Sequence, residues 1–77
     1  MKEFLIAIAQ GLVEDPSAVT VDVDDVNEEG VIVMHLHVSD EDKGRVIGKQ
    51  GRIAKAIRVV MRAMASRNNA KISVEID

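Results

Sequence analysis

Residues 44–60 have the sequence GRVIGKQGRIAKAIRVV, in which two glycines enclose a lysine and a glutamine. The first of these, Gly48, allows the chain to end one helix and turn without a clash from a Cβ atom. The second, Gly51, allows the backbone of a binding partner to come close to this one. Apolar and basic residues follow at helical spacing. The stretch therefore predicts a tight glycine turn at the start of a basic amphipathic helix.

The predicted turn has the chemistry of an anion site. The first turn of a helix leaves several N–H groups unpaired at the positive end of its dipole, and phosphate binds there readily. Lys49 adds a positive charge, and Gln50 can donate or accept a hydrogen bond. The G-x-x-G spacing alone is a weak signal, because many turns between helices contain two glycines. The turn is not a nucleotide-binding P-loop, since Gln50 stands where a Ser or Thr ligand of Mg²⁺ would be needed.

Hydrophobic periodicity places the other elements. Apolar residues spaced by three and four, at Met1, Leu5, Ile8 and Leu12, predict a helix over residues 2–13, which Asp15-Pro16 ends. Strict alternation predicts strands at residues 19–24, 32–38 and 71–77, with a turn at 27–30. Ser39 resembles the N-cap of a short helix that ends at Gly48, and a longer helix follows over residues 52–66. The order helix, strand, strand, helix, helix, strand predicts an α+β two-layer fold, with helices on one face of a three-stranded sheet.

Charge is distributed unevenly along the chain. The net charge is −3, but nine of the ten Lys and Arg residues lie between Lys43 and Lys71, where Asp and Glu are absent. A bound polyanion responds to this local field rather than to the total charge. The alternative is that these residues form a solvated helix face that serves solubility. The long helix should have a basic face and an opposite apolar face. The basic face comprises Arg52, Lys55, Arg58 and Arg62, and the apolar face comprises Ile53, Ile57, Val60 and Met64.

Length and composition limit the other classes of function. A chain of 77 residues fits a single domain over residues 1–77. The apolar N-terminal run lacks the features of a signal peptide, and no run approaches the length of a membrane span, so we expect a soluble, cytoplasmic protein. Cysteine is absent, which removes thiolate metal sites. Little volume remains for a deep pocket, so we expect neither an enzyme nor a cofactor.

The whole pattern resembles a known family. The sequence GRVIGKQGRIAKAIRVV is similar to the signature of the KH RNA-binding domain, in which a G-x-x-G loop joins two helices. The order of elements resembles the type II form of that domain. A stand-alone domain of this size that starts MKEFL and contains VIGKQGRIAKAIR is similar to the small bacterial KH proteins of the KhpA (YlqC) family. This resemblance covers the whole chain.

The resemblance implies that the chain binds single-stranded RNA. The G-x-x-G loop of such domains clamps the backbone of about four nucleotides. Carried over to this sequence, the clamp comprises Gly48, Lys49, Gln50 and Gly51. The apolar groove under the bases comprises Val46, Ile47, Ile53 and Ala54. The phosphate contacts comprise Arg45, Arg52 and Lys55. The family also implies self-association, a larger KH partner similar to KhpB (the Jag family), and a role as an RNA chaperone or post-transcriptional regulator.

The aromatic content tests this hypothesis. Phe4 is the one aromatic residue of the chain, so folds that stack bases on aromatic side chains would lack their binding surface here. A KH groove uses aliphatic side chains, loop amides and cations instead. Without stacking, which is worth about 1–3 kcal/mol per base, the affinity should be modest and should depend steeply on salt.

Two alternatives stay open beside RNA binding. The fold could serve as an adaptor for dimerisation, and Val59, which falls among basic residues, is either a singly exposed valine or a subunit contact. His35 and His37 share one strand face and could bind a metal, but no third ligand is close in sequence. We expect these histidines to be solvent-facing strand residues.

Overall fold

The protein places two helices on one face of a three-stranded sheet. The computed structural model describes residues 1–76, with Lys49 described by its backbone alone. The elements are α1 (Lys2–Leu12), a 3₁₀ turn (Pro16–Ala18), β1 (Thr20–Val23), β2 (Val31–His37), α2 (Asp40–Arg67) and β3 (Lys71–Ile76). The predicted end of the last strand, Asp77, lies outside the described residues.

The strand order in the sheet is β1-β2-β3. β1 pairs antiparallel with β2, with Val21 opposite Leu36. β2 pairs parallel with β3, with Met34 opposite Val74. Parallel neighbours need a crossover connection, and α2 provides it. The predicted α+β two-layer class, with the order of elements of a type II KH domain, is confirmed.

The core lies between the sheet and the two helices. Its largest fully buried side chains come from both layers and are Leu5, Leu36, Ile57, Met61 and Val46. Alternate residues of each strand, such as Met34 and Leu36 in β2, face this core, as the alternation predicts. Burying each large aliphatic side chain contributes about 1.5–3 kcal/mol.

Both helices are rotated slightly from their predicted orientation. In α1, Leu5 and Ala9 are fully buried, whereas Leu12 is 43% exposed. In α2, Met61 is fully buried, whereas Val60 is 40% exposed. The physical reason is that alanine has little volume, so a face that contains alanines lets the helix pack closer to the sheet.

A turn inside α2 divides it into two parts. Gln50 and Gly51 have φ values of 65° and 68°, which are left-handed and incompatible with a continuous right-handed helix. A straight helix of 28 residues would be about 42 Å long, which exceeds the 34 Å extent of the molecule along its longest principal axis. The expected four-residue loop is therefore replaced by a tighter turn within one helical range. We call residues 40–49 the first part of α2 and residues 52–67 the second part.

The ends of α2 follow the sequence signals. The hydroxyl oxygen of Ser39 accepts a hydrogen bond from the Asp42 N–H at 3.2 Å, which confirms the N-cap. At the other end, Asn69 adopts a left-handed φ of 55°, and the Asn68 side-chain amide donates to the carbonyl oxygen of Met64 at 2.9 Å. The helix thus begins and ends where side chains can satisfy its terminal backbone groups.

Candidate nucleic-acid interface

The glycine turn of α2 lies at the molecular surface. Gly48 and Gly51 are half-buried, and Gln50 is exposed. The backbone of Lys49 is part of this turn, and its side chain lies outside the described part of the structure. A Cβ atom added at Gly48 or at Gly51 would meet no other group within 4 Å. The main chain of the turn is therefore accessible to a partner.

A groove of about 260 Å³ lies next to the turn. It is lined by Gly44, Arg45, Gly48 and Ile53. The two glycines carry no side chains, so this wall of the groove is largely backbone, while Ile53 supplies an apolar surface and Arg45 a charge. The groove thus combines glycine main chain, an aliphatic surface and a cation, which a sugar-phosphate chain with attached bases can contact.

The four apolar residues predicted for this region divide into two pairs. Ile47 is 49% exposed, and Ile53 is half-buried, so both present apolar surface near the turn. Val46 and Ala54 are 1% and 5% exposed. These two side chains lie in the interior and support the turn from beneath, so they offer almost no surface to a ligand.

Basic side chains continue along the second part of α2. Arg52 and Lys55, both predicted as phosphate contacts, are exposed. Arg58 and Arg62 line a groove of about 110 Å³ beside β3, and Arg62 and Lys71 line a larger groove of about 580 Å³. The Arg58 Nε group donates to the carbonyl oxygen of Val74 at 3.3 Å, which fixes this arginine against the strand.

These arginines and Lys71 lie outside the site predicted from the sequence. The charge pattern placed Arg58 and Arg62 on the basic face, but nothing local showed that β3 would be parallel to β2 and at the edge of the sheet. That placement brings the start of β3 alongside the end of α2. We call the exposed basic residues from the turn to the start of β3 the basic border: Arg52, Lys55, Arg58, Arg62 and Lys71.

Arg45 is already paired in this structure. Its Nη1 atom lies 3.1 Å from Glu14 Oε1 and 3.5 Å from Asp42 Oδ1. The Arg45 side chain is half exposed, and Glu14 is 77% exposed. A predicted RNA contact is thus held by two carboxylates at the border of the groove.

Asp42 connects the end of α1 to the first part of α2. It is 2% exposed, and its carboxylate accepts hydrogen bonds from the N–H groups of Glu14 and Asp15, each at 3.0 Å, and from the Ser39 hydroxyl at 3.0 Å. The Glu14 N–H above all, followed by the other donors and the Arg45 charge, lowers the pKa of Asp42 below its usual value, against the opposing effect of burial. The ionised carboxylate is therefore the form that holds these segments together.

The face of the sheet away from the helices carries paired acids and histidines. His35 Nε2 lies 2.9 Å from Asp24 and its Nδ1 lies 3.5 Å from Glu75, while His37 Nε2 lies 3.0 Å from Asp22. Among residues 1–76, no group of three or more histidine or carboxylate side chains is arranged to hold a metal ion. This acidic face would repel a polyanion, and the basic residues lie on α2 instead.

Within the described residues, neither α1 nor α2 contains a stretch that is both long and apolar enough to cross a lipid bilayer.

A known protein family matches nearly the whole chain. The sequence model of the family described as "KhpA/KhpB, KH domain" matches residues 2–76. A protein named RNA-binding protein KhpA from Clostridium perfringens is 53% identical over 76 residues, covering 99% of each chain. The protein of the same name from Listeria monocytogenes is 45% identical, covering 99% of this chain and 97% of the relative. These relatives are named for RNA binding and not as enzymes, in agreement with the expectation of a non-catalytic protein.

Solved structures with the same fold belong to a larger protein. One is Aquifex aeolicus Era Y63A bound to GDP·AlF4⁻, with a TM-score of 0.70 at 20% identity. Another is Era in complex with MgGDPNP and nucleotides 1506–1542 of 16S ribosomal RNA, with a TM-score of 0.64 at 19% identity. Each match covers 97% of this chain but only 28% of the Era chain, and at this identity it supports the fold alone. The fold, the glycine turn of α2 and the match over residues 2–76 together show that the chain belongs to the KhpA/KhpB family of KH domains.

Proposed function

We propose that this protein binds single-stranded RNA and that the turn at residues 48–51 contacts its sugar-phosphate backbone. The observation that carries the proposal is the exposed main chain of the turn, beside a groove that joins glycine backbone, Ile53 and Arg45. Relatives that are up to 53% identical bear the name RNA-binding protein, which supports the same ligand class.

The basic border suggests a path for the RNA. The strand would cross the turn, with a phosphate near Lys49 and Gln50, and bases against Ile47 and Ile53. It would then follow Arg52 and Lys55 toward the grooves beside β3, where Arg58, Arg62 and Lys71 supply more charge. Val46 and Ala54 would act from beneath, by keeping the turn in place.

The expected binding is modest and sensitive to salt. Since Phe4 is the only aromatic residue of the sequence, base stacking on aromatic rings contributes little, and phosphate contacts must supply most of the free energy of binding. Each phosphate contact to a single strand contributes about 0.7 to the slope of log K against log salt concentration. A protein that touches about four phosphates should therefore show a slope of about −3.

The double variant Lys49→Asp/Gln50→Asp tests the proposal. It reverses the charge of the turn, and Asp tolerates the left-handed φ of position 50 better than most residues do. We expect loss of RNA binding, measured by fluorescence anisotropy with a short labelled uridine oligonucleotide, and an unchanged circular dichroism spectrum.

The matched control is Lys2→Asp/Gln10→Asp, which makes the same two kinds of substitution at exposed positions of α1, outside the glycine turn, and should weaken binding far less. RNA binding that survives Lys49→Asp/Gln50→Asp would refute contact between the turn and the RNA.

In the cell, such a protein would act on RNA in the cytoplasm as a chaperone or post-transcriptional regulator. A small domain with modest affinity and little base discrimination suits transient contacts with many RNAs. Cross-linking in cells followed by sequencing of the bound RNA tests this role. Recovery of no RNA above the level of a Lys49→Asp/Gln50→Asp strain would contradict it.

A second candidate function is self-association, favoured by a separate apolar groove between α1 and α2. This groove of about 400 Å³ is lined by Ala7, Ile8, Gly11, Leu12, Ala56, Ile57 and Val60. Leu12 and Val60 are 43% and 40% exposed, and Val59 nearby in sequence is 62% exposed. A second copy of the chain could cover this surface in a two-fold symmetric pair. Pairing of two domains would raise avidity for a single RNA.

Light scattering of the wild type and Val60→Asp tests this second function. We expect the variant to be monomeric at concentrations where the wild type is dimeric. Val26→Asp, at a residue that is 60% exposed in the β1–β2 connection, is the control. A monomeric wild type that forms complexes only with a KhpB-like protein would assign the surface to that partner instead.

A further inference from the structure

We infer that Glu14 restrains RNA binding, because it holds Arg45 in an ion pair that a phosphate must displace. This inference rests on the proposed RNA-binding function and adds a residue outside the glycine turn. Glu14 Oε1 lies 3.1 Å from Arg45 Nη1, and Arg45 lines the groove beside Gly48. The acid belongs to the segment after α1, so a part of the chain remote in sequence sets the availability of a groove cation.

The position of Glu14 is fixed by its backbone. Its N–H donates to Asp42 Oδ1 at 3.0 Å, and the next N–H, of Asp15, donates to Asp42 Oδ2 at the same distance. Because Asp42 is buried and is itself bonded by Ser39, this segment cannot move away from α2 without losing two hydrogen bonds. The backbone of Glu14 is therefore held beside α2, and its side chain stays within reach of Arg45.

The two carboxylates act on Arg45 in different ways. Asp42 is buried, lies 3.5 Å from Arg45 and is saturated by backbone donors, so it orients the guanidinium group without competing strongly for it. Glu14 is exposed and makes the shorter contact with Arg45. An RNA phosphate that binds Arg45 must break the Glu14–Arg45 pair or tolerate repulsion from the Glu14 charge.

Glu14→Gln tests the inference in the full-length chain. The substitution keeps the size of the side chain and removes its charge. We expect affinity for a short labelled uridine oligonucleotide to increase about two- to fivefold, which corresponds to the usual strength of an exposed ion pair. The gain should shrink at high ionic strength, because salt screens exposed charges.

A double-mutant cycle shows whether Arg45 is the group through which Glu14 acts. Arg45→Gln alone should weaken RNA binding, and Glu14→Gln in the Arg45→Gln background should give less than half of the gain, on a logarithmic scale, that it gives in the wild type. The matched control is Glu28→Gln, which makes the same change in net charge in the β1–β2 turn and should raise affinity by a smaller factor.

The possible results separate this inference from the function on which it rests. An unchanged or reduced affinity in Glu14→Gln, a gain equal to that of Glu28→Gln, or an undiminished gain without Arg45 would each overturn the restraint while leaving RNA binding intact. If the wild-type protein does not bind RNA, the proposed function itself fails. Thermal melting of each variant shows whether a change in affinity reflects a change in folding.

Discussion

Gly48 and Gly51 flank the same turn, but only Gly51 has a left-handed backbone conformation, which favours glycine. Gly51 has a φ of 68°, whereas Gly48 has no positive φ and lies in the helical range of α2. Neither position is crowded, since an added Cβ would meet nothing within 4 Å at either one. The isolated fold thus explains the glycine at 51 and gives no reason for the glycine at 48.

This difference predicts opposite effects on stability. Gly51→Ala forces alanine into the left-handed region and should cost about 1 kcal/mol or slightly more. Gly48→Ala replaces glycine by the best helix former and should be neutral or stabilising by up to about 1 kcal/mol. Urea denaturation of both variants and the wild type measures the two free energies of unfolding.

RNA binding by Gly48→Ala then shows what that glycine is for. If a sugar-phosphate backbone lies against the turn, the added methyl group should weaken RNA binding at least severalfold in a protein that is no less stable. Gly11→Ala is the control, with its oligomeric state checked by light scattering, since it adds a methyl group on α1, in the groove between the helices and not at the turn. Wild-type affinity in Gly48→Ala would mean that no partner approaches this position closely.

Loss of the Asp42 charge should destabilise the protein by more than the loss of an acid from the first turn of a helix usually does. As Asn, residue 42 keeps one acceptor oxygen but loses the charge that attracts the N–H groups of Glu14 and Asp15 and the side chain of Arg45. We expect Asp42→Asn to lower the melting temperature clearly more than Asp40→Asn, which changes an exposed acid of the same first turn. Equal shifts would indicate that both residues act only through the helix dipole.

Protonation of the Asp42 carboxylate should account for part of the acid denaturation of the protein. Because the folded-state pKa of Asp42 lies below the usual value of 3.8, the unfolded chain binds this proton more readily than the folded chain does. Its stabilising contribution is therefore complete above pH 3.8 and is lost as the pH falls from there through the folded-state pKa.

Thermal melting between about pH 5 and about pH 3 measures this contribution. The wild type should lose more stability over this range than Asp42→Asn, because the other carboxylates titrate in both proteins and cancel in the comparison. Parallel pH profiles would show that Asp42 has the same pKa in the folded and unfolded chains.

Local patterns in the sequence were sufficient to predict the elements and the turn. Alternation of apolar residues predicts each strand, the Ser39 hydroxyl predicts the start of α2, and the paired glycines predict a break within residues 48–51. Each signal depends on neighbours within about four positions, where backbone geometry alone decides the result. Their agreement with the structure is therefore expected.

Contacts between distant segments were not predictable in this way. Local sequence shows Asp42 only as an acid near the start of a helix, because its partners Glu14 and Asp15 lie 28 and 27 positions away. The Glu14–Arg45 pair was missed for the same reason. The rotation of α2 was missed because periodicity favours large apolar residues such as Val60, whereas the helix packs through Ala54 and Ala65. Tertiary packing decides these features, and it leaves no local signal.

Ile57 and Val59 give a final prediction, because they are two positions apart on α2 and lie in opposite environments. Ile57 is 1% exposed within the main core cluster, and Val59 is 62% exposed. Ile57→Ala should therefore cost about 2–5 kcal/mol through lost burial and a cavity. Val59→Ala should change the free energy of unfolding by no more than about 0.5 kcal/mol.

Urea denaturation at several protein concentrations distinguishes the effects of packing from those of association, since an oligomer becomes more stable as its concentration rises. If Ile57→Ala leaves no folded protein, Ile57→Val should still fold and lose about 0.5–1.5 kcal/mol. A Val59→Ala defect that grows with protein concentration would identify Val59 as a subunit contact. Equal defects in Ile57→Ala and Val59→Ala at every concentration would contradict the orientation of α2 on the sheet, since one side chain is enclosed by the core and the other faces solvent.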